Sequence, residues 1–209
     1  MQRGTAIVHI NHALGAGFAQ YTAELEAGGL LAPASLQRFV YILSGTITIE
    51  DAALSTGAYA FTPQNYPRPI HAITEARLLV IEKPYQALPH IPAPSFLTGR
   101  EFEIASAALM GDESVQARSL LPGDPAFDFA VNVMTYQPGA SLSMVEIHVM
   151  EHGLLMLEGG GIYRLDEDWH AVTAGNFIWM APYCPQWFGA LGRKPAKYII
   201  YKDWNRHPL

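Results

Sequence analysis

The sequence predicts an all-β fold of two small barrels in one chain. Three observations carry that prediction. Short runs rich in Val, Ile, Thr, Tyr and Phe recur along the chain, each closed off by glycine, proline or a polar turn. Helical periodicity is hard to find, so the 18 glycines and 15 prolines read as evenly spread turn punctuation between strands. The two halves also parallel each other. Residues 39–45 match 151–159, and the run 57–63, opened by Gly57 and closed by Pro63, matches 175–182, opened by Gly175 and closed by Pro182.

The elements follow in order. Residues 5–10 read as a strand. Residues 39–49 read as two strands around Ser44 and Gly45, residues 57–63 as a turn glycine, an alternating strand and a stop, and residues 77–82 as a further strand. Pro89, Pro92 and Pro94 exclude both a regular helix and a central strand, so this stretch links the halves. Residues 99–110 fit a helix or a linker strand equally. Strands over 131–136, 143–150, 154–157, 161–165, 175–180 and 197–201 complete the set. The expected organisation is an N-terminal barrel over 1–87, a linker over 88–110 and a C-terminal barrel over 111–209.

Bulk properties narrow the partners. Nineteen acidic and 13 basic residues give a net charge of −6, with no Lys/Arg run, which argues against a nucleic-acid partner. The single cysteine, Cys184, allows no intrachain disulfide, and reducing cytosol is the easiest fit. The first residues lack a basic run followed by an apolar stretch, and no stretch of ~20 apolar residues exists to span a bilayer. The expectation is a cytoplasmic protein acting on a small molecule, with no membrane partner.

The strongest chemical signal lies between Pro138 and Gly153. Glu146 and His148 stand two apart on an expected strand, so both side chains fall on one face. His152 follows after an interval long enough for its ring to reach the same point. A carboxylate with two imidazoles suits a divalent first-row ion. Buried polar groups without partners cost ~2–7 kcal/mol each, and a metal supplies those partners. A fourth ligand is expected from a distant strand that closes the barrel, and Gln186, just past Pro182, is placed to provide it. Its amide oxygen is a neutral, hard donor, which favours manganese or a similar ion over a structural zinc site. Cys184 reads as a small buried hydrophobe.

These two segments resemble the two motifs of the cupin superfamily. The C-terminal half, with these ligand types and with Trp169, Gly175 and residues 179–182, 185–187 and 201–203, resembles the (S)-ureidoglycine aminohydrolases. That family is a bicupin, two double-stranded β-helix barrels in one chain with the metal in the second. The resemblance spans nearly the whole chain and sharpens after residue 130. It implies that Glu146, His148, His152 and Gln186 bind Mn2+, or another divalent first-row ion. It implies that Tyr198, Lys202 and Glu146 contact substrate, with Lys202 catalytic beside the reacting centre. The implied reaction converts (S)-ureidoglycine to (S)-ureidoglycolate and ammonia in purine and allantoin breakdown, and the implied assembly is a homo-oligomer, at least a dimer. The chain is shorter than expected for the family, chiefly at its N-terminus and in the first barrel's turns.

The N-terminal half departs from a metal cupin. It offers Gln37, Arg38 and Tyr41 where ligands would stand, then Asn65, Arg68 and His71 beyond Pro63, so this barrel is expected to be metal-free. Other residues keep two readings. Lys202 is a pocket lysine or a surface partner of Asp203, and Tyr198 contacts substrate or only packs inward. Trp187 packs the barrel wall or floors the pocket. Glu151 faces solvent or orients a ligand histidine. Arg164 balances a substrate carboxylate or pairs with an acid, and residues 166–168 form a hairpin turn. Two other functions remain open from sequence: a different small-acid metal cupin enzyme, such as a dioxygenase or isomerase, and a non-catalytic ligand-binding cupin.

Overall fold

A computed structural model describes residues 1–207. The chain divides into two units, Met1–Glu103 and a second beginning at Ile104. Among the described residues the helical turns are short 3-10 pieces at His12–Leu14 and Glu101–Glu103, and no helix is long and apolar enough to cross a membrane.

The first unit holds β1 (Gln2–Ile10), β2 (Ala19–Leu31), β3 (Gln37–Ser44), β4 (Thr46–Ile49), β5 (Ala52–Ser55), β6 (Ala58–Thr62), β7 (Ile70–Ala72), β8 (Ala76–Lys83) and β9 (Leu97–Arg100). They form one antiparallel sheet in the order β5-β4-β7-β2-β8-β3-β6-β9, with β1 paired to β2. Alternation sends Val40 and Ile42 of β3, Leu78 and Val80 of β8, and Ala23 and Leu25 of β2 into one core. Gly45 joins β3 to β4 at φ +84°, and a Cβ there would collide with the backbone of Glu75 and Ala76.

The second unit holds β10 (Ala107–Leu109), β11 (Asp112–Ser119), β12 (Phe129–Tyr136), β13 (His152–Glu158), β14 (Gly160–Leu165), β15 (Asp168–Thr173), β16 (Phe177–Met180), β17 (Gln186–Ala190) and β18 (Ala196–Asp203). One sheet runs β10-β11-β12-β18-β13-β16 and the other β15-β14-β17. The repeat read from the sequence is a repeat of topology. β2-β8-β3-β6 corresponds to β12-β18-β13-β16, and β5-β4-β7 corresponds to β15-β14-β17. Each unit is a small antiparallel barrel in the sense expected.

The units differ where the site lies. In the first, the 13-residue β2 runs on to pair with β7 through Leu30 and Leu31. In the second, β12 stops at Tyr136, because Pro138 has no backbone N–H to donate and Gly139 turns at φ +82°. Past that turn the chain runs beside β17 on scattered hydrogen bonds, such as Leu142 N–H to Phe188 O at 2.9 Å, and on isolated bridges of Ser141 with Gly189 and Glu146 with Gln186, without forming a regular ladder. The strand expected over 143–150 is therefore absent, replaced by an extended segment on isolated bridges. The ambiguous stretch 99–110 contains the end of β9, a 3-10 turn and β10. The sequence reading missed β2 and β11, whose mixed polar and apolar residues hide a strand period, and the short strands β5, β7, β15 and β17.

Candidate metal centre

The inward faces of three neighbouring strands grade from apolar to polar along the barrel. On β13 the series is Met156, Leu154, His152. On β18 it is Ala196, Tyr198, Ile200, Lys202, and on β12 it is Tyr136, Met134, Asn132. Register sets the polar ends side by side. His152 pairs with Lys202, and Asn132 pairs with Ile200, one step along from Lys202. Apolar packing thus fills one end of the barrel, and the other opens as a cavity of about 190 Å³ that also includes Leu109, Ala117, Glu146, His148, Tyr163 and Gln186 in its wall.

The bridged segment brings in Glu146 and His148. The Glu146 N–H donates to Gln186 O at 2.8 Å, the Gln186 N–H returns to Glu146 O at 2.9 Å, and Tyr183 N donates to His148 O at 2.7 Å. Alternation survives without a regular strand. Glu146, His148 and Met150 turn to the cavity, while Val145, Ile147 and Val149 face outward, 39%, 60% and 39% exposed. The Glu146 carboxylate lies 3.1 Å from His148 Nε2, and the His148 ring meets the His152 ring edge-on at 5.3 Å. Gln186 opens β17 with its side chain buried, accepting at Oε1 from Tyr163 Oη at 2.8 Å.

His152 is the most informative side chain of the set. Its Nδ1 lies 3.3 Å from the carbonyl oxygen of Tyr201. A carbonyl only accepts, so Nδ1 carries the proton and Nε2 presents a bare lone pair. That Nε2 is buried and finds no hydrogen-bond partner among the described residues. Burial and then the neighbouring His148 hold the His152 pKa down to about 3, from an ordinary 6.5, so the ring is neutral across the usual pH range. A buried imidazole lone pair that shares a cavity with a carboxylate, a second imidazole and an amide is a donor set that fits a divalent cation. The set is gathered rather than closed. Glu146 and His148 bond each other, and among the described residues no three His, Cys, Asp or Glu form a metal-holding group as they stand.

Lys202 lines the same cavity, its Nζ 4.5 Å from the centre of the Trp204 ring. Burial lowers its pKa, against the opposing pull of Glu146. Asp203, the rival partner, is instead engaged by Tyr201 Oη. Tyr198 packs inward against Phe188 and Tyr136 and also lines the cavity, with its hydroxyl 2.8 Å from that of Tyr136. Burial raises its pKa well above the ordinary phenol value, so it stays a phenol.

The Cupin domain family model matches residues 132–201, which contain most of this wall. Over 208 residues the chain is 36% identical to an (S)-ureidoglycine aminohydrolase of Arabidopsis thaliana, covering 96% of this chain and 69% of that protein. It is 32% identical to the (S)-ureidoglycine aminohydrolase of Escherichia coli strain K12, covering 92% and 78%. The chain belongs to the (S)-ureidoglycine aminohydrolase family. The architecture agrees. A putative glyoxylate-induced protein from Pseudomonas aeruginosa superposes with a TM-score of 0.89 at 30% identity, over all of this chain and 83% of that one.

Set against the ureidoglycine aminohydrolase resemblance, all six residues singled out for the site line one cavity: Glu146, His148, His152, Gln186, Tyr198 and Lys202. Other readings change. Glu151 does not face solvent: it is 5% exposed and accepts from Trp179 Nε1 at 3.2 Å, while His152 is oriented by Tyr201 O. Arg164 lies outside the cavity, its Nε donating to Asp166 O at 2.7 Å in the β14–β15 hairpin and its guanidinium over Trp169. Trp187 braces the wall by donating from Nε1 to Leu142 O at 2.8 Å, and neither it nor Cys184 lines the cavity. Sequence reasoning missed Asn132 and Tyr163. The signal for Asn132 was available: an amide at an inward position of an otherwise apolar strand.

At the corresponding end of the first unit, Arg38 takes the position of His152, Glu82 that of Lys202 and Tyr21 that of Asn132. These three satisfy one another: Arg38 and Glu82 form an ion pair at 2.6 Å, and Tyr21 Oη donates to Glu82 at 3.1 Å. Gln37 lies on the opposite side of β3 from Arg38, Tyr41 Oη donates to Glu101, and His71 is exposed.

Proposed function

We propose that this protein is a metal-dependent aminohydrolase that converts (S)-ureidoglycine and water to (S)-ureidoglycolate and ammonia. The observation that carries this reading is the unpartnered, buried Nε2 of His152 in a cavity shared with Glu146, His148, Gln186 and Lys202. Glu146, His148, His152 and Gln186 are the ligands, and Mn2+ is the ion their mixed oxygen and imidazole set favours, with other divalent first-row ions able to take its place. When bound, such an ion supplies Lewis-acid polarisation and anchors a carboxylate or amine of the substrate.

The reaction breaks one C–N bond and forms one C–O bond at the carbon that carries both the amine and the ureido group. Water gives up a proton as its oxygen bonds, and the leaving nitrogen needs one. Lys202 fits both transfers, because burial moves its amine toward neutrality and its strand neighbour is His152. Tyr198 donates to the substrate. The hydrogen bond with Tyr136 uses one of the two hydroxyl protons and leaves the other for the cavity. Glu146 faces the substrate as well as the ion. The first barrel is metal-free, its polar end already neutralised by Arg38 and Glu82. The remaining parts of the reading are a homo-oligomer, at least a dimer, in the cytoplasm, serving purine and allantoin breakdown.

The test is ammonia release from freshly generated (S)-ureidoglycine with manganese present, compared with allantoate and ureidoglycolate. Ammonia from the first alone is expected. A filled metal site that releases none would rule the reaction out and leave another metal cupin enzyme or a binding cupin.

A further inference from the structure

Asn132 lines the cavity and has no part in the reaction above. Asn132 is the inward residue of β12 that pairs with Ile200, so it stands diagonally beside both Tyr198 and Lys202 on β18. Its Oδ1 is buried and has no hydrogen-bond partner among the described residues. A buried amide oxygen left unbonded is costly in the free protein, and a ligand that donates to it recovers that cost. The other polar groups of the wall, Lys202 apart, are already matched. His152 Nε2, Glu146 and His148 form the donor set for the cation, Gln186 Oε1 accepts from Tyr163, and the Tyr198 hydroxyl bonds that of Tyr136.

The substrate assigned above, on which this inference rests, carries a ureido group. That group has one carbonyl and three N–H bonds, so it arrives with more donors than acceptors. Its carbonyl can be met by Lys202 or a tyrosine hydroxyl, whereas its terminal NH2 needs an acceptor. We infer that Asn132 is the specificity-determining residue for the ureido group, its side-chain carbonyl accepting a hydrogen bond from the terminal ureido N–H. Asn132 thereby separates ureido acids from acyl-glycines of nearly the same shape. A site built around an N–H rejects a ligand that places a methyl there, because the methyl leaves the buried oxygen unpaired.

The probes are N-carbamoylglycine, which has the ureido group and carboxylate but no amine to lose, and N-acetylglycine, which replaces the terminal NH2 with methyl. Their binding to the manganese-loaded protein is measured by calorimetry, alongside ammonia release from (S)-ureidoglycine. The wild type is expected to bind N-carbamoylglycine about tenfold tighter than N-acetylglycine. Asn132→Leu is expected to abolish that preference and to raise KM more than it lowers kcat. Asn132→Asp keeps an acceptor and should retain the preference. Asn132→Ala, smaller and free of packing conflict, repeats the loss if the leucine variant folds poorly. A preference unchanged in Asn132→Leu and Asn132→Ala, in a wild type that releases ammonia, overturns the role of Asn132 and leaves the reaction standing. A fall in kcat alone, with the preference intact, also overturns it, since Asn132 would then act through Lys202. A wild type that releases no ammonia and binds neither probe overturns both.

Discussion

Lys202 and His152 stand opposite each other in adjacent strands yet serve different ends, and substitution separates them. Lys202→Met keeps the stem's packing and removes the amine. It is expected to retain metal, by elemental analysis, and to lose turnover by about 10²–10⁴-fold, the usual worth of positioned acid–base assistance. Unchanged turnover would remove Lys202 from the mechanism. For His152 the sign of the pH effect follows from its depressed pKa. Between about 3 and 6.5 the unfolded chain takes up a proton that the folded ring refuses, so in chelator-stripped protein stability falls as pH drops through that window. Denaturant unfolding should show this slope in the wild type and a shallower one in His152→Gln. These residue types were legible in the sequence because Glu146 and His148 keep a two-residue spacing whether or not a strand forms. Asn132 was harder to see, because its single amide sits in an apolar run and only the register with Ile200 places it beside Lys202.

At the scale of elements, the site depends on how β17 is held. Gln186 reaches the cavity because β17 pairs with β14, where Leu165 meets Gln186 and Gly161 meets Ala190. Gly161 has no room for a side chain, since a Cβ would fall against the backbone carbonyl of Gly189. Gly161→Ala must therefore push the two strands apart. The expected cost is about 1–3 kcal/mol by thermal or denaturant unfolding, with weaker metal retention although Gly161 lines no part of the cavity. Normal metal affinity in a destabilised Gly161→Ala protein would show that the packing at Gly161 does not set the position of Gln186. Strands with compact apolar runs bounded by turn residues, such as β3, β8 and β13, were readable from sequence. The 143–150 segment was not, because its alternating residues describe a face correctly while Pro138 and Gly139 deny it a regular ladder. β11 escaped because it reads as a polar run, and its contribution to the wall is only Ala117.

Across the whole molecule, one topology has been used twice with opposite electrostatic solutions. The first unit closes its polar end with the Arg38–Glu82 pair, which is only slightly exposed, and the second leaves its end open around His152. This predicts one ion per chain rather than two. Replacing the pair with apolar residues, Arg38→Met with Glu82→Leu, is expected to leave metal content unchanged, since exchanging a buried ion pair for packed hydrophobics is often near neutral in stability. Loss of the ion in that double variant would give the first barrel a share in the metal site. The duplication was visible in the sequence through its paired glycine and proline boundaries, but the asymmetry in function was visible only as a missing ligand pattern. The ion pair that fills that gap joins residues 44 positions apart, and sequence spacing alone did not connect them.

The central claim is that the residues around His152 form a metal-dependent aminohydrolase centre. Its most direct test is titration of Mn2+ into chelator-stripped protein while ammonia release from (S)-ureidoglycine is followed. The account predicts no release without metal, activity that rises in proportion to bound manganese and saturates at one ion per chain, and no recovery in His152→Ala. Full ammonia release from the stripped protein, or from His152→Ala, would contradict it.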